Sequence, residues 1–241
     1  MFTVKIGSKF KKMVTILLPI YNDEKYIKFT IESLLDQSFS DYKCLIGFNG
    51  TVDNSREIVK SLIGDDKRFL INDFGESKGK SLTLNKLLNL VNTEFICLID
   101  GDDIWKPDKL KNQIEVSNKF DIVGTLASYI DENNSSFFNL NLLSDSDSIK
   151  RELFKGNNQI VNSSCFLKTS CAKEVGGWDD TWVEGLEDFD FWVKLAKKNK
   201  TFFNIQEYLV YHRIHQNSNF NAKKLPYTVF DVLIKNKIYA Y

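Results

Sequence analysis

The 241-residue sequence predicts an α/β fold, in which an open, mostly parallel β-sheet is flanked by helices. Two observations lead to this prediction. Strand-like and helix-like segments alternate four times within the first hundred residues, and the apolar run at residues 95–99 is continuous, which is typical of a parallel strand buried on both faces. Because such sheets bind ligands beyond the carboxyl ends of their strands, the residues that follow each strand are the first candidates for a functional site.

Hydrophobic periodicity and the residues that end each run define the elements of the first half. The first strand is rich in β-branched and aliphatic residues and stops at Pro19. We expect Asn22 and Asp23 to cap the helix that follows it. The predicted strands are 14–18, 42–48, 68–71 and 95–99, and the predicted helices are 24–36, 53–63 and 80–91.

The second half of the sequence is less regular. Residues 131–147 are polar and rich in Asn and Ser, which predicts a long loop. We expect one domain over residues 1–241, and the sequence leaves open whether its end packs on the core or contacts a membrane. The other elements expected here are a strand at 160–167, a helix at 189–198, edge strands at 201–205 and 208–211, and a terminal helix at 228–241.

Composition and charge exclude several classes of protein. The chain has 32 Lys and Arg residues and 32 Asp and Glu residues, whereas nucleic-acid-binding domains are usually basic. We expect neither a membrane-spanning segment nor a secretion signal, because no apolar run is long enough and the first residues lack an apolar core. Only two histidines are present, His212 and His215, which excludes sites built from several dispersed histidines. The four cysteines have no Cys-x-x-Cys spacing, so we expect reduced core thiols in a cytosolic protein.

The strongest chemical signal is the sequence Asp-Gly-Asp-Asp at residues 100–103, directly after the most apolar predicted strand. Three carboxylates within four residues repel one another, and their oxygens suit a hard cation such as Mg²⁺ or Mn²⁺. Gly101 allows the backbone to bend so that alternate carboxylates converge. A solvated turn that caps the next helix is the alternative, and the position after a buried strand favours the cation site.

A second signal is the acidic segment 174–190, which holds seven carboxylates and no Lys or Arg. Glu187 and Asp188 open an amphipathic helix, where carboxylates can simply cap free N–H groups and complement the helix dipole. The functional alternative is a general base beside a reacting hydroxyl. Trp178 could stack on a sugar ring, whereas Trp192 is expected in the core.

A third segment combines groups that bind anions or metals. Arg213 and His215 follow a strand-like run, with Ser218 three residues further on. Guanidinium and imidazole groups suit phosphate and metal contacts, but a lone histidine is often structural. The residues alone leave both interpretations open.

Taken in order, these pieces resemble a family-2 glycosyltransferase with the GT-A fold. The similarity covers about residues 13–220, and its specificity comes from the order and spacing of motifs that are individually weak. The matching pieces are residues 14–22, Asn-Gly-Thr at 49–51, Asp-Asn-Ser at 53–55, Lys-Gly at 78–79, Asn85, residues 100–110, Gly-Gly-Trp-Asp at 176–179, residues 185–192 and Arg213-x-His215-x-x-Ser218.

The resemblance implies a nucleotide-sugar-binding half at residues 13–110, an acceptor-binding and catalytic half at 111–220 and a C-terminal helix at 221–241. Asp188 would be the catalytic base, and Glu187 would orient the acceptor or the donor sugar. The remaining implied site residues are Pro19, Tyr21, Asn49, Lys78, Asp100 and Arg213 for the nucleotide, Asp102 and His215 for a metal, and Trp178 and Asp179 for the acceptor.

The implied reaction transfers one sugar from a nucleotide sugar to a hydroxyl of a glycan or a lipid-linked acceptor. The sugar would be of the hexosyl or N-acetylhexosaminyl type, and a UDP-sugar is the expected donor. The reaction inverts the anomeric carbon, uses Mn²⁺ or Mg²⁺, and would serve bacterial-type surface polysaccharide or lipooligosaccharide synthesis. The processive members carry Gln-x-x-Arg-Trp and transmembrane helices, neither of which is found here, so transfer of single sugars is expected. The expected location is cytoplasmic, with peripheral contact at the inner face of a membrane left open, and no nucleic acid is expected as a partner.

One motif departs from the family pattern. Phe48 and Asn49 stand where the family usually has two aspartates, the second of which typically hydrogen-bonds the base. An Asn amide can still accept from a uracil N3–H, but the preference for uridine is left open. Two alternatives remain beside the transferase. One is a non-catalytic nucleotide- or sugar-binding relative, and the other is a different Mg²⁺ enzyme such as a phosphohydrolase, against which Trp105 after the acidic turn argues.

Overall fold

The computed structural model describes residues 13–75, 79–182, 186–215 and 227–238. The strands are β1 Val14–Ile20, β2 Tyr42–Phe48, β3 Phe69–Asp73, β4 Phe95–Leu98, β5 Ile104–Trp105, β6 Ile122–Ile130, β7 Ser136–Leu140, β8 Phe166–Lys168 and β9 Phe202–Arg213. The helices are α1 Ile27–Leu35, α2 Ser55–Ile63, α3 Lys80–Leu90, α4 Lys109–Val116, α5 Ser146–Phe154, α6 Thr169–Glu174, α7 Glu187–Lys197 and α8 Val229–Lys235.

Within these ranges the nine strands form one mixed sheet in the order β3-β2-β1-β4-β8-β6-β9-β5, and β7 also pairs with β6. The predicted α/β class with a mostly parallel sheet is confirmed. Strands β1 to β4 are parallel neighbours, and β6 is parallel to β9. Because β8 is antiparallel to both β4 and β6, β6 runs in the same direction as β4. The carboxyl ends of β1, β2, β4, β6 and β9 therefore meet at one edge of the sheet.

The core lies on both faces of the sheet, as the apolar run at residues 95–99 predicts. Ile96 and Leu98 of β4 pack in a cluster with α3, α5, α6, α7 and α8, whereas Phe95 and Cys97 pack in a second cluster with α1, α2 and α4. The alternation follows from the strand geometry, which points successive side chains to opposite faces. All four cysteines of the chain are buried and unbridged, as expected.

The caps predicted before the first helix are wrong. Helix α1 begins at Ile27, and its first N–H groups donate to the backbone carbonyl of Asp23 rather than to a side chain. Asn22 adopts a φ of 55°, and its side-chain oxygen accepts the N–H of Val52 at 2.9 Å. The side chain of Asn22 therefore connects the loop after β1 to the loop after β2.

Residues 131–147 are not one long loop. They contain β7, in which Phe138 lies opposite Tyr129 of β6. The two phenylalanines of β7, Phe137 and Phe138, are 59% and 53% exposed, so the strand has no buried apolar face that the sequence could reveal. Pairing with β6 holds it in place.

Residues 160–167 do not form one strand either. A buried 3₁₀ turn at Asn162–Ser164 precedes β8. The three polar residues of the turn interrupt an otherwise strand-like apolar run, and this interruption marks the end of strand pairing.

The two predicted edge strands are one interior strand, β9, which lies between β6 and β5. Its pairing with β6 shifts register beside Thr125 and Leu126. Gln206 and Glu207 are exposed there, so the polar gap that divided the strand in the sequence is a β-bulge. No element is predicted from the sequence at β6, because small residues such as Gly124 interrupt its apolar run.

Helix α8 is shorter than the predicted terminal helix, and residues 221–226 and 239–241 lie outside the described ranges. Val232 and Leu233 are buried in the cluster that includes α7. The side-chain amide of Asn236 donates to Asp190 at 2.8 Å. The described part of the C-terminal segment thus packs on the core. No helix in the described ranges has the length and apolar content needed to cross a membrane.

One lysine lies inside the core. Lys109 is fully buried, its Nζ donates to Gln113 Oε1 at 2.9 Å, and the same atom lies 3.6 Å from the centre of the Trp105 ring. Burial lowers the pKa of Lys109 to about 8, because the charged form loses its hydration. The amide and the ring face replace only part of the lost water.

We predict that wild-type stability, measured relative to the Lys109→Met variant, rises between about pH 8 and pH 10.5. In this window the unfolded chain still holds the Lys109 proton whereas the folded protein has lost it, so the wild type gains up to about 3 kcal/mol. Urea unfolding at pH 7, 8.5 and 10 measures the difference. Lys111→Met, at an exposed position of the same helix, is the control, and a pH-independent difference for Lys109→Met would contradict the prediction.

Candidate functional site

The acidic turn after β4 is held from two sides. The Thr30 hydroxyl of α1 donates to the carbonyls of Gly101 and Asp103, both at 2.8 Å. The N–H of Asp100 donates to the Ser163 hydroxyl of the 3₁₀ turn at 3.0 Å. Thr30 and Ser163 are buried, so these bonds fix the turn relative to α1 and to the strand β8.

The carboxylate of Asp100 is paired with Lys80, the first residue of α3. Lys80 Nζ lies 2.6 Å from Asp100 Oδ1 and 3.9 Å from Glu187 Oε1. The Asn162 amide lies 3.2 Å from both oxygens of Asp100. Burial opposes the charge on Lys80, but the two carboxylates outweigh it and raise the pKa of Lys80. The ammonium thus joins the end of β4 to the first turn of α7.

The structure brings Asp102 and His215 together, as the resemblance implies for a shared metal. His215 Nε2 lies 3.1 Å from Asp102 Oδ2, and the imidazole packs against the Tyr26 ring with centroids 4.9 Å apart. Burial and the charge of Asp103 raise the pKa of Asp102, and His215 partly offsets this. A carboxylate and an imidazole are therefore near enough to bind one ion.

The third carboxylate of the turn has a partner inside the protein. Asp103 is fully buried, its Oδ2 lies 3.0 Å from His212 Nδ1, and its Oδ1 accepts the N–H of Arg213 at 2.8 Å. Burial opposes both charges, but each stabilises the other. The pKa of Asp103 is therefore lowered, and that of His212 is raised to about 9. This ion pair joins the acidic turn to β9.

Arg213 braces the same turn from β9. Its guanidinium, which is fully buried, donates to the carbonyl of Asp102 at 2.9 Å, to the carbonyl of Asp131 at 2.8 Å and to Asn134 Oδ1 at 2.6 Å. It also lies 4.6 Å over the Tyr26 ring. These contacts give Arg213 a structural role, and the nucleotide contact implied by the resemblance stays a prediction.

The residues implied for the nucleotide base lie at the ends of β1 and β2. Pro19 is partly buried, and Tyr21 is 55% exposed, which leaves its ring accessible for stacking. Asn49 is buried, and its amide donates to the carbonyl of Gly79 at 3.1 Å. Lys78 lies outside the described residues.

Asp23, which the sequence predicts only as a helix cap, belongs to the site. Asp23 accepts the N–H of Tyr21 at 3.1 Å, and a Cβ at Gly101 would collide with the Asp23 carboxylate. Glycine at 101 therefore serves the close approach of two loops. Burial and the charges of Asp102 and Asp100 raise the pKa of Asp23. We call Asp23, Asp100, Asp102 and Asp103 the acidic cluster.

Helix α7 carries the residue implied as the base. Glu187 is buried, and Asp188, which follows it, is partly buried and accepts the N–H of Phe189 at 2.6 Å. Burial, followed by the charge of Glu187, raises the pKa of Asp188 to about 7, while Lys80 lowers it. A carboxylate that titrates near neutral pH suits a general base.

Trp178 and Asp179 are engaged within the protein. Trp178 is buried and stacks on Phe191 with centroids 4.4 Å apart, and its backbone N–H and carbonyl bind the side chain of Asn85. Asp179 accepts from Lys235 of α8 at 2.6 Å. The acceptor contacts implied for both residues stay predictions. Trp192 is fully buried, as expected.

The groups at Asp102 fit a divalent cation that is shared with a ligand. Asp102 offers carboxylate oxygens and His215 an imidazole nitrogen, which are donors that Mn²⁺ accepts. Across the described ranges, no three His, Cys, Asp or Glu side chains are placed to hold a metal by themselves. An ion at Asp102 would need further ligands, and the oxygens of a diphosphate are suitable ones.

Besides Asp23, four residues of this site have no role predicted from the sequence. Asn162 and Ser163 could have been found from the polar interruption of a strand-like run. His212 could have been found from its spacing of three residues from His215 at the end of a predicted strand. Lys80 carries a weaker signal, its place at the start of a predicted helix.

Comparison with known proteins places the chain among glycosyltransferases. The family model described as "Glycosyl transferase family 2" matches residues 15–174. The chain is 27% identical to an uncharacterized glycosyltransferase of Methanocaldococcus jannaschii, over 98% of this chain and 79% of that protein. It is 26% identical to the "Putative teichuronic acid biosynthesis glycosyltransferase TuaG" of Bacillus subtilis, over 88% of this chain and 82% of that protein.

Two solved structures share the fold at low sequence identity. S. aureus TarS in complex with UDP-GlcNAc superposes with a TM-score of 0.74 at 16% identity, over 88% of this chain and 62% of that one. The mannosyltransferase PcManGT of Pyrobaculum calidifontis, in complex with GDP-Man and Mn²⁺, gives 0.66 at 13%, over 92% and 68%. The GT-A fold expected from the sequence is confirmed, and the chain spans about three fifths of the TarS chain.

We predict that Arg213→Met lowers the free energy of unfolding by about 3 kcal/mol, because buried oxygen acceptors lose their donor. Arg56→Met is the matched control. It removes a partly exposed ion pair with Asp73 and a contact 4.8 Å over the Phe48 ring, which together are worth about 1 kcal/mol. Urea unfolding of both variants measures the difference, and equal losses would show that Arg213 does not brace the turn.

Proposed function

The chain belongs to glycosyl transferase family 2, and we propose that it transfers one sugar from a nucleotide-sugar donor to an acceptor hydroxyl, with inversion at the anomeric carbon. One observation carries the proposal. Lys80 Nζ lies within 4 Å of both Asp100 and Glu187. Asp100, implied for the nucleotide, is therefore a neighbour of the first turn of α7, which carries the proposed base Asp188. A displacement reaction needs the donor and the base side by side.

A uridine donor is the form of the proposal that we favour. The relatives of the same fold bind UDP-GlcNAc in one case and GDP-Man in the other, so the fold alone does not select the base. The exposed ring of Tyr21 can stack on either base. The Asn49 side chain is oriented by its bond to Gly79, and its oxygen is of the kind that accepts from uracil N3–H.

In the proposed mechanism Asp100 accepts a hydrogen bond from a ribose hydroxyl, and Asp102 and His215 would hold a divalent ion. When bound, such an ion offsets the charge of the departing nucleoside diphosphate. Asp188 takes the proton of the acceptor hydroxyl, whose oxygen attacks the sugar C1 from the face opposite the diphosphate. The bond from C1 to the diphosphate oxygen breaks as the new bond forms, the nucleoside diphosphate leaves with that electron pair, and the configuration at C1 inverts.

For the acceptor we propose a glycan or a lipid-linked glycan in the synthesis of a surface polysaccharide. Support comes from TuaG, whose name refers to teichuronic acid biosynthesis. A lipid-linked acceptor would bring the reaction to the cytoplasmic face of a membrane, where the protein would bind peripherally.

We predict that Asp188→Asn lowers the turnover number about 10³-fold, because an amide cannot accept the acceptor proton, while UDP affinity stays within twofold of wild type. Transfer assays and calorimetry with UDP and Mn²⁺ measure the two quantities. Asp180→Asn, at an exposed aspartate of the same acidic segment, is the control. Wild-type turnover in Asp188→Asn would refute the assignment of the base.

The same assays separate the transferase from a non-catalytic relative. Such a relative would bind UDP with Mn²⁺ but would neither hydrolyse nor transfer from any donor. The observation that favours a non-catalytic relative is the presence of Phe48 and Asn49 where the family usually has two aspartates.

We predict that removal of divalent ions with EDTA weakens UDP binding at least tenfold, or about 1.4 kcal/mol, and that Mn²⁺ restores it. Asp102→Asn should lose the difference between the two conditions, since its carboxylate is a proposed ligand. Asp108→Asn, at an exposed aspartate, should retain it. Calorimetry with and without Mn²⁺ tests this, and a metal response that survives in Asp102→Asn would place the ion elsewhere.

A further inference from the structure

We propose that Lys80 is a positioning residue of the transfer reaction, which holds Asp100 and Glu187 and allows Asp188 to act as a base at neutral pH. The inference rests on the proposed function, in which Asp188 accepts the acceptor proton. It adds a residue that the motifs of the resemblance do not include.

The position of Lys80 comes from the backbone around it. Gly79 precedes α3 with a φ of 92°, a conformation that L side chains rarely adopt, and Lys80 is the first helical residue. This start of α3 lies beside the carboxyl end of β4 and the first turn of α7. The Lys80 side chain is 27% exposed, and its Nζ is 2.6 Å from Asp100 and 3.9 Å from Glu187.

The charges around Asp188 explain why an ammonium is needed there. The charges that act on it are Glu187, the residue before it, Lys80 of α3, whose Nζ lies 3.9 Å from Glu187, and Asp100 after β4. Glu187 and Asp100 disfavour the ionised base, and Lys80 favours it. A base must be ionised to accept a proton, so the cation on α3 keeps it in the reactive form.

A purely structural role is the competing interpretation. In that case Lys80 would only tie β4 to α7, and its loss would lower the rate by the same factor at every pH. If Lys80 sets the ionisation of Asp188, its loss acts mainly at low pH and is recovered at high pH. The pH profile of the turnover number therefore separates the two roles.

The experiment compares Lys80→Met and Lys80→Arg with wild type from pH 5.5 to 9. We expect the acid limb of the Lys80→Met profile to move up by about one pH unit, with a loss of about tenfold at pH 6 and near wild-type rates at pH 9. Lys80→Arg keeps the charge and should stay close to wild type. Lys86→Met, on the same helix, is the control, since its ammonium lies over the Phe74 ring.

A second measurement does not depend on activity. In ¹³C NMR, the carboxyl resonance of Asp188, assigned by its loss in Asp188→Asn, should titrate at higher pH in Lys80→Met than in wild type. Lys80→Gln replaces Lys80→Met if the latter does not fold. An unchanged Asp188 titration midpoint, or a pH-independent loss of rate, would overturn the proposal. Absence of transfer by the wild type would instead refute the proposed function, and the titration would still decide the role of Lys80.

Discussion

The mutual repulsion of the carboxylates around the turn after β4 is the constraint on which the site depends. The negative charges of Asp100, Asp102 and Asp103 face an ammonium or an imidazole that comes from one of two distant segments, α3 and the end of β9. Lys80 comes from α3, His212 lies in β9, and His215 follows β9. These partners can meet because the antiparallel strand β8 lets β6 and β9 run in the same direction as β4. The order and direction of the strands thus bring the cationic and imidazole side chains to the acidic turn.

Burial divides the roles within one short motif. Asp103 is fully buried, its charge is balanced by His212, and its other oxygen accepts the backbone N–H of Arg213. Asp102, its neighbour, retains partial exposure, and its carboxylate lies beside His215 where a ligand can reach. A buried charge needs permanent partners, whereas a partly exposed one can exchange partners when a ligand binds. Two adjacent aspartates are thus suited to different roles, Asp103 to structure and Asp102 to the proposed binding of an ion.

Local pattern predicted the elements whose burial is uniform, and failed where packing decides. Strands β1, β2 and β4 were predictable because both of their faces are apolar. The pattern gives no signal for β7 because its phenylalanines are exposed, and it divides β9 in two because a bulge interrupts the apolar run. In the site, the order of motifs indicated Asp102 and its closeness to His215. The contacts of Lys80 and Asn162 depend on how distant elements pack, which a single sequence does not encode in its local spacing.

Helix α8 contacts buried residues of α7, although it lies near the end of the chain. Asn236 binds the buried carboxylate of Asp190, which lies two residues after the proposed base, and Lys197 donates to the carbonyl of Asn236 at 2.5 Å. A truncation before Thr228 would deprive the carboxylate of Asp190 of its amide donor and uncover the apolar surface beneath α8. The segment is therefore an unsuitable place for proteolytic trimming, even though it follows every strand of the sheet.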